Sequence, residues 1–292
     1  MALLTGFEKF ARQDEPLAPH TWFRLGGPAE YFAEPTTVEE LQALLKRAQQ
    51  EDLPVRILGG GSNVLVPDQG VPGLVIHMAD PNFAQIEVKN NKLKAGGGAK
   101  LGHLISTSVR EGLVGLETLV GIPGTLGGAL HGNAGGRGGD IGQWTSRATV
   151  MTRDGEIIQR EHDEMVFNYR QSSLDELIIL GAEFELDKDD PEELTKRMQK
   201  QWIMKKASQP LGHQSAGCIF KNPRGMSAGL LIDQAGLKGT RVGGAEVSDR
   251  HANFIIADTG CTSQDVLRLM ELVRSRVAER MGIELETEIQ VW

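Results

Sequence analysis

Leu58-Gly-Gly-Gly-Ser-Asn63 and Gly121-Ile-Pro-Gly-Thr-Leu-Gly-Gly128 are the stretches whose reading decides the fold. The first lies between two short apolar runs, Val55–Leu58 and Val64–Val66, both of strand character. Glycine lets backbone approach a bulky ligand, and consecutive N–H groups in such a turn can form an anion-binding nest. Alone, the first loop is equally well read as a tight turn that needs glycine for geometry. The second cluster, followed by Asn133-Ala-Gly135 and Gly138-Gly-Asp-Ile141, points to two walls around an extended, phosphate-bearing ligand. No Gly-x-Gly-x-x-Gly opens a helix after a strand, and no Gly-x-x-x-x-Gly-Lys-Ser/Thr is present. The residues therefore point to a dinucleotide site that is neither Rossmann nor P-loop.

Glycine supplies 36 of 292 residues, about 12% against a usual ~7%, and 20 of the 36 fall between Gly59 and Gly139. With no period of three and ample Leu, Ile and Val, the chain is neither collagen-like nor disordered. No apolar run reaches the ~18 residues of a membrane span. A net charge of −8 argues against a nucleic-acid binder but leaves room for a local cationic pocket. Cys218 and Cys261 have neither metal-ligand spacing nor a disulfide framework, so no metal is expected. Met1–Gln13 lacks the basic start of a signal peptide; Leu3, Leu4, Phe7 and Phe10 fit one face of a short helix. These features suggest a cytoplasmic protein.

Helical spacing with start and stop signals places helices from a Thr37 capping box to about Glu51 and from Leu101 to Gly112. Further helices begin at Asp190-Pro191, with Leu194, Met198 and Trp202 as apolar stripe, at Ser227, and around Val266–Val277. Strands are expected at Leu74–Met78, at Ile86–Val88 and Leu93–Ala95 around Asn90-Asn91, and at Ala148–Met151 and Glu156–Gln159 around Asp154-Gly155. More follow at Leu177–Leu186, Arg241–Val247 and Ala252–Ala257, with an alternating run at Ile283–Val291. The irregular mixture favours an α+β fold. A composition shift near residue 188 suggests domains 1–188, in two parts of roughly 1–78 and 79–188, and 189–292.

The glycine segments carry a resemblance. Leu58–Val66, Gly121–Gly128 and Asn133-Ala-Gly135 resemble the FAD-binding signatures of the UDP-N-acetylenolpyruvoylglucosamine reductase family. The match runs in order from Thr21-Trp-Phe-Arg-Leu-Gly-Gly27 through Tyr169-Arg170, Ser215–Pro223 and His251-Ala-Asn-Phe254 to Glu288-Ile-Gln-Val291. It implies a two-part FAD-binding domain of the vanillyl-alcohol-oxidase/PCMH type and a C-terminal α+β substrate-binding domain. It also implies NADPH as hydride-donating co-substrate and reduction of an enolpyruvyl ether on a UDP-sugar to UDP-N-acetylmuramate. That reaction serves peptidoglycan precursor synthesis, hence cell wall, cell shape and cell division. A monomer is expected. Tyr169-Arg170 leads within seven residues into the next strand, which leaves no room for the extra substrate-covering loop of longer members and suggests the shorter subclass.

The resemblance implies FAD contacts from Leu58, Gly59, Gly60, Gly61, Ser62, Asn63, Gly121, Ile122, Pro123, Gly124, Thr125, Gly127, Gly128, Asn133 and Gly135. It implies a catalytic trio. Arg170 fits a cation gripping the substrate carboxylate through two hydrogen bonds. Cys218, at a position that is Ser or Cys in the family, fits the proton donor, because an ordinary thiol with pKa about 8.5 is protonated at pH 7. Glu288 is singled out only by the resemblance, to steady the enolate as a neutral acid or hydrogen-bond partner. Tyr169, Lys221 and Asn222 are implied substrate contacts. Lys205, Lys206, Arg224, Arg241 and Arg250 are further candidates for the diphosphate, and His251 and Asn253 for organising the site. Another FAD-dependent oxidoreductase of the same fold would lack the Cys218 and Lys221-Asn222-Pro223 constellation, and a non-catalytic nucleotide-binding module would be colourless and fail to take up FAD.

Overall fold

The computed structural model describes residues 4–136, 138–174 and 178–292. The chain divides into two compact units, and neither is continuous. The first comprises 1–14, 30–60 and 72–203; the second comprises 15–29, 61–71 and 204–292. A single boundary at 188/189, as composition suggests, does not describe this partition. The helix that begins at Pro191 stays with the first unit to Ile203, and two early segments belong to the second.

The first unit holds two sheets. One joins β1 (Ala11–Pro16), β2 (Pro28–Ala33), β3 (Val55–Leu58) and β5 (Val71–His77) in the order β1-β2-β5-β3, with β3 parallel to β5. Helix α1 (Val38–Gln50) buries Leu41, Leu44, Leu45 and Ala48 in the core of this part, each leucine stabilising by roughly 1.5–3 kcal/mol. The Thr37 hydroxyl caps α1 by accepting from Glu40 N–H at 3.2 Å. The Glu40 carboxylate also accepts from the N–H and hydroxyl of Thr36. Residues 4–10 form successive turns rather than the expected helix, although Leu4, Phe7 and Phe10 still pack on this core; Leu3 lies outside the described residues.

The second sheet is wholly antiparallel. It contains β6 (Ile86–Lys89), β7 (Lys92–Gly96), β10 (Thr145–Met151), β11 (Ile157–Glu161) and β14 (Ile178–Glu185), in the order β11-β10-β14-β7-β6. The Asn90 and Gly155 turns have positive φ, as their hairpins require. Leu177 lies outside the described residues, and the strand is seen from Ile178. Against this sheet pack α2 (Leu101–Arg110) and the six-residue α3 (Leu126–His131). Two small hairpins, β8/β9 (Gly135–Gly136, Gly139–Asp140) and β12/β13 (Phe167–Asn168, Gln171–Ser172), belong to the same unit. Helix α4 (Pro191–Ser208) buries only Leu194, and Trp202 is 41% exposed, so the expected apolar stripe stops short.

The second unit gathers around α6 (Ser263–Met281), whose Val266, Leu269, Val273 and Val277 are buried. Phe23, Leu25 and Leu65, from the two early segments, lie in that same core. Helix α5 (Ala228–Gln234) is capped by Ser227. The run expected as one strand at Arg241–Val247 is a hairpin of β15 (Arg241–Val242) and β16 (Ala245–Val247), extended by β17 (Ile255–Ala257). The alternating run 283–291 is not a strand throughout. Only β18 (Gln290–Val291) pairs regularly, in parallel with β4 (Val64–Leu65), and of its apolar positions only Leu285 and Ile289 are buried. Alternation marks the inward side but cannot supply a second neighbouring strand.

Asp68 ties an early segment to α6: its carboxylate accepts from the N–H groups of Ser263 (2.9 Å) and Gln264 (3.2 Å). Both are first-turn amides with no partner inside the helix. Asp68→Ala is expected to lower stability by about 1–2 kcal/mol, with Asp68→Asn intermediate. Denaturant melts followed by circular dichroism check this; an unchanged midpoint for the alanine variant contradicts it.

Candidate active site

In the first unit a cavity of about 300 Å³ is lined by Gly59, Gly97, Thr125, Gly127 and Gly128 on its backbone side. Ile57, Met78, Ile178 and Ile179 give it apolar walls, and His131 and Arg153 give it polar ones. Gly97, and Gly60 next to the lining Gly59, show why side chains are excluded. A Cβ at Gly60 would lie 2.8 Å from Gly124 Cα, so the two glycine-rich loops touch backbone to backbone. A Cβ at Gly97 would collide with the Ile179 carbonyl, while Gly97 O accepts from Gly127 N–H at 2.8 Å. Thr125 caps α3 by accepting from Gly128 N–H at 3.4 Å. Gly121, Ile122 and Pro123 form the half-buried loop leading into that cap. Leu58 is buried, so only its backbone can face a ligand. Gly97, His131 and Arg153 are cavity residues that the sequence motifs do not single out. Gly96-Gly97-Gly98 was visible as a glycine run, whereas His131 and Arg153 carry no pattern.

Arg170 sits at the tip of the β12/β13 hairpin, whose strands pair Phe167 with Ser172 and Asn168 with Gln171. Its φ is +58°, in the left-handed region that a non-glycine residue enters at a cost of about 1 kcal/mol or more. Its guanidinium lies 5.6 Å from the centroid of the Tyr169 ring, within cation–π range, and Tyr169 is 57% exposed. Asn133, expected to contact the cofactor, is 2% exposed and bonds to the chain itself. Its Nδ2 donates to Asn168 O (2.9 Å) and its Oδ1 accepts from Gly142 N–H (3.1 Å). Gly135 begins the small β8/β9 hairpin, packed against Asp140.

In the second unit, residues 218–221 run between two other segments. Cys218 bridges to Phe254 and Phe220 to Thr287, while Lys221 N–H donates to Glu286 O and Glu288 N–H to Ile219 O, both at 2.8 Å. Cys218 and Glu288 are therefore carried on adjacent backbone. Asn253 fixes this register: its Oδ1 accepts from Phe220 N–H (3.0 Å) and its Nδ2 donates to Phe220 O (2.8 Å). Burial holds the His251 imidazole below its usual range, with Lys238 adding to the effect, and its Nδ1 accepts from Asn253 N–H at 3.2 Å. Glu288 makes other contacts, yet its Oε2 oxygen is buried and accepts no hydrogen bond. Asn63 Nδ2 donates to Glu288 O (3.2 Å), so this side chain braces the Glu288 segment; Gly61 is buried, and Ser62 is half-buried beside it. Lys221 Nζ lies 3.3 Å from Glu286, and Asn222 Oδ1 accepts from Ala228 N–H at 3.0 Å. Arg241 is paired with Glu246 and Asp258, and Arg250 donates to Lys206 O at 3.4 Å.

No helix of the described residues is long and apolar enough to cross a membrane, and no acidic, histidine or cysteine group among them could hold a metal ion. The two-sheet first unit with its glycine-walled cavity is that of an FAD-binding flavoprotein: residues 29–160 match the FAD binding domain family. Residues 209–292 match the C-terminal domain of UDP-N-acetylenolpyruvoylglucosamine reductase. The chain is 45% identical over 283 residues to UDP-N-acetylenolpyruvoylglucosamine reductase 2 of Symbiobacterium thermophilum, covering 96% of this chain and 92% of that one. It is 42% identical over 291 residues to the Moorella thermoacetica reductase, covering 99% and 96%. The crystal structure of the Thermus caldophilus reductase superposes with a TM-score of 0.82 at 37% identity, covering 97% of this chain and 98% of that one. Physcomitrella patens BBE-like 1, at 18% identity and a TM-score of 0.50 over 64% of this chain and 45% of that one, shares the fold alone. The chain belongs to the UDP-N-acetylenolpyruvoylglucosamine reductase family. It is an FAD-dependent oxidoreductase, and the family and fold class implied by the sequence motifs hold.

The two cysteines differ in environment. Burial, then the nearby carboxylates of Asp265, Asp68 and Asp258, push the Cys261 thiol up to about 11. Because the unfolded thiol ionises first, Cys261 lowers stability as pH rises from the ordinary thiol value toward that figure. At pH 8, iodoacetamide is expected to leave Cys261 unmodified in a Cys218→Ser variant until denaturant is added, as read by intact mass. Rapid labelling of the folded variant contradicts this.

Proposed function

We propose that this chain reduces the enolpyruvyl ether of a UDP-N-acetylglucosamine derivative to UDP-N-acetylmuramate, with NADPH as reductant, and that Arg170, Cys218 and Glu288 carry the chemistry. The observation that carries the reading is Arg170 itself. A long cationic side chain occupies a left-handed turn position where glycine would be less strained, so its presence there calls for a role of the side chain.

The residues present fit FAD. Backbone approaches too close for any Cβ, apolar walls from Ile57, Met78, Ile178 and Ile179, and polar groups from His131 and Arg153 suit one end of a flat, phosphate-bearing cofactor. Gly59, Gly60, Gly124, Thr125, Gly127 and Gly128 are the residues we assign to hold it. Bound FAD supplies the hydride transfer between NADPH and the enolpyruvyl group.

Hydride arriving at the terminal methylene leaves the electron pair on the carbon beside the carboxylate, as an enolate with extra negative charge. Arg170 binds that carboxylate and offsets the charge, which gains strength where water is excluded. Cys218 delivers its proton to the same carbon and is afterwards reprotonated from solvent. Glu288, on the backbone segment next to Cys218, steadies the enolate as a neutral acid or hydrogen-bond partner. Lys221 is the cation we assign to the sugar-nucleotide diphosphate; the Glu286 carboxylate that holds it at 3.3 Å would be replaced by phosphate oxygens. Asn222 and Tyr169 complete the substrate contacts. A water-soluble nucleotide-sugar substrate and a nicotinamide reductant support a cytoplasmic enzyme in peptidoglycan precursor synthesis.

Stopped-flow separation of the half-reactions tests the roles. Cys218→Ala is expected to keep flavin reduction by NADPH and to lose ~10²-fold or more in substrate-driven reoxidation, with Cys218→Ser milder. Reoxidation at the parent rate sinks the proton-donor assignment. Arg170→Gly should melt at the same temperature or higher, gaining up to about 1 kcal/mol from relief of the left-handed backbone, while its reoxidation falls at least ~10²-fold. A variant that is both stable and active contradicts the reading.

A further inference from the structure

Asn133 stands in a motif read as cofactor-binding, but its side chain does something else. Both of its functional atoms are committed to backbone: Nδ2 donates to Asn168 O at 2.9 Å and Oδ1 accepts from Gly142 N–H at 3.1 Å. The side chain is buried, 2% exposed. Asn168 is the residue immediately before the Tyr169-Arg170 tip.

The opposite strand is held in a matching way. Ser172 Oγ donates to His131 O at 3.0 Å, at the end of α3. Beyond the ladder, Ser173 N–H donates to Val166 O at 2.8 Å and Val166 N–H to Ser173 Oγ at 2.9 Å, and the two tethers fix the tip end of the hairpin. Two paired residues per strand make a ladder too short to be stable by itself. Its tip residue is left-handed, and such a conformation persists only where the surroundings over-determine it. Phe167 packs on Gly142 where no Cβ would fit, so the residue whose amide Asn133 receives also seats the hairpin's first strand.

We infer that Asn133 is a positioning residue: it sets where the Arg170 guanidinium stands, with Ser172 as the second tether. The inference rests on the reading of Arg170 as the cation for the substrate carboxylate. An amide is required because the site asks for a donor and an acceptor on one short side chain. Aspartate supplies only acceptors when ionised, and would turn an oxygen toward the Asn168 carbonyl. The consequence is that helix α3 serves two places at once. Its first turn lines the cavity, and its last residue and the turn after it hold the hairpin that carries Arg170.

A double-mutant cycle on the holoenzyme tests this. Asn133→Asp is expected to retain FAD through dialysis within twofold of the parent, and to lower substrate-driven reoxidation by ~10–100-fold, the scale of a small misplacement. In an Arg170→Ala background the same change should cost less than about threefold, because it acts through Arg170. An equal loss in both backgrounds overturns the inference. So does loss of FAD with an unchanged rate per bound flavin, which would make Asn133 a cofactor residue. Should Asn133→Asp not fold, Ser172→Ala and Ser172→Thr decide: alanine should lose ~10-fold and threonine, which keeps the hydroxyl, should recover to within about threefold. Equal behaviour of the two overturns the inference. Arg170→Ala reoxidising at the parent rate would instead remove the reading of Arg170, and this inference with it.

Discussion

Four stretches of backbone in the first unit lie closer together than side chains permit. Gly60 meets Gly124, and Gly97 lies under the Ile179 carbonyl while accepting from Gly127. Each approach removes a Cβ from a place where interior packing leaves no slack. On the backbone side of the cavity these strands and turns close on one another through direct approach and hydrogen bonds such as Gly127 N–H to Gly97 O. Thr125 can then start α3 at the cavity's edge. From there the dependence runs outward, through the end of α3, to the hairpin that carries Arg170. The glycine excess of this chain is thus a geometric requirement that is met first; the placement of the cationic side chain follows from it.

The second unit solves a different problem, which is register. Cys218 and Glu288 are seventy residues apart in sequence and neighbours on adjacent backbone. The segment 218–221 has few regular ladder partners, so side chains supply what a long sheet would. Asn253 grips both backbone groups of Phe220, and Asn63 holds the Glu288 carbonyl. A slip of one residue would turn Cys218 to the opposite side. Short polar side chains therefore carry a burden of precision here that elsewhere falls to strand length.

Much of this was legible in the sequence, for definable reasons. The α1 cap at Thr37, the Asn90 and Gly155 turns and the α6 apolar stripe are local signals, and local physics forms them. The glycine loops were legible because no other residue type fits them. What was not legible is where a polar side chain points. Asn63 and Asn133 sit in motifs that suggest ligand donors, yet both bond to the chain, and an amide looks the same in sequence whichever it serves. The run 283–291 alternates like a strand but finds partners at only a few positions, because alternation reports one buried side and nothing about neighbours. Arg153 and His131 line the cavity through tertiary placement alone. The discontinuous units could not be read from composition, since Phe23 and Leu65 look like any apolar residues.

That discontinuity bears on the order of synthesis. Everything the first unit needs has been translated once Ile203 is made. The second unit cannot close until its last helix and terminal strand exist, although segments 15–29 and 61–71 emerge early. Phe23, Leu25 and Leu65 must therefore wait, without their core, while the first unit forms around the chain ends that lead to them. During that interval a nascent chain would carry apolar side chains with nothing to cover them, which is the state that general chaperones recognise. Units interleaved in this way depend on synthesis running past β18, and a chain cut shortly before α6 would leave the two early segments without the core that covers Phe23, Leu25 and Leu65.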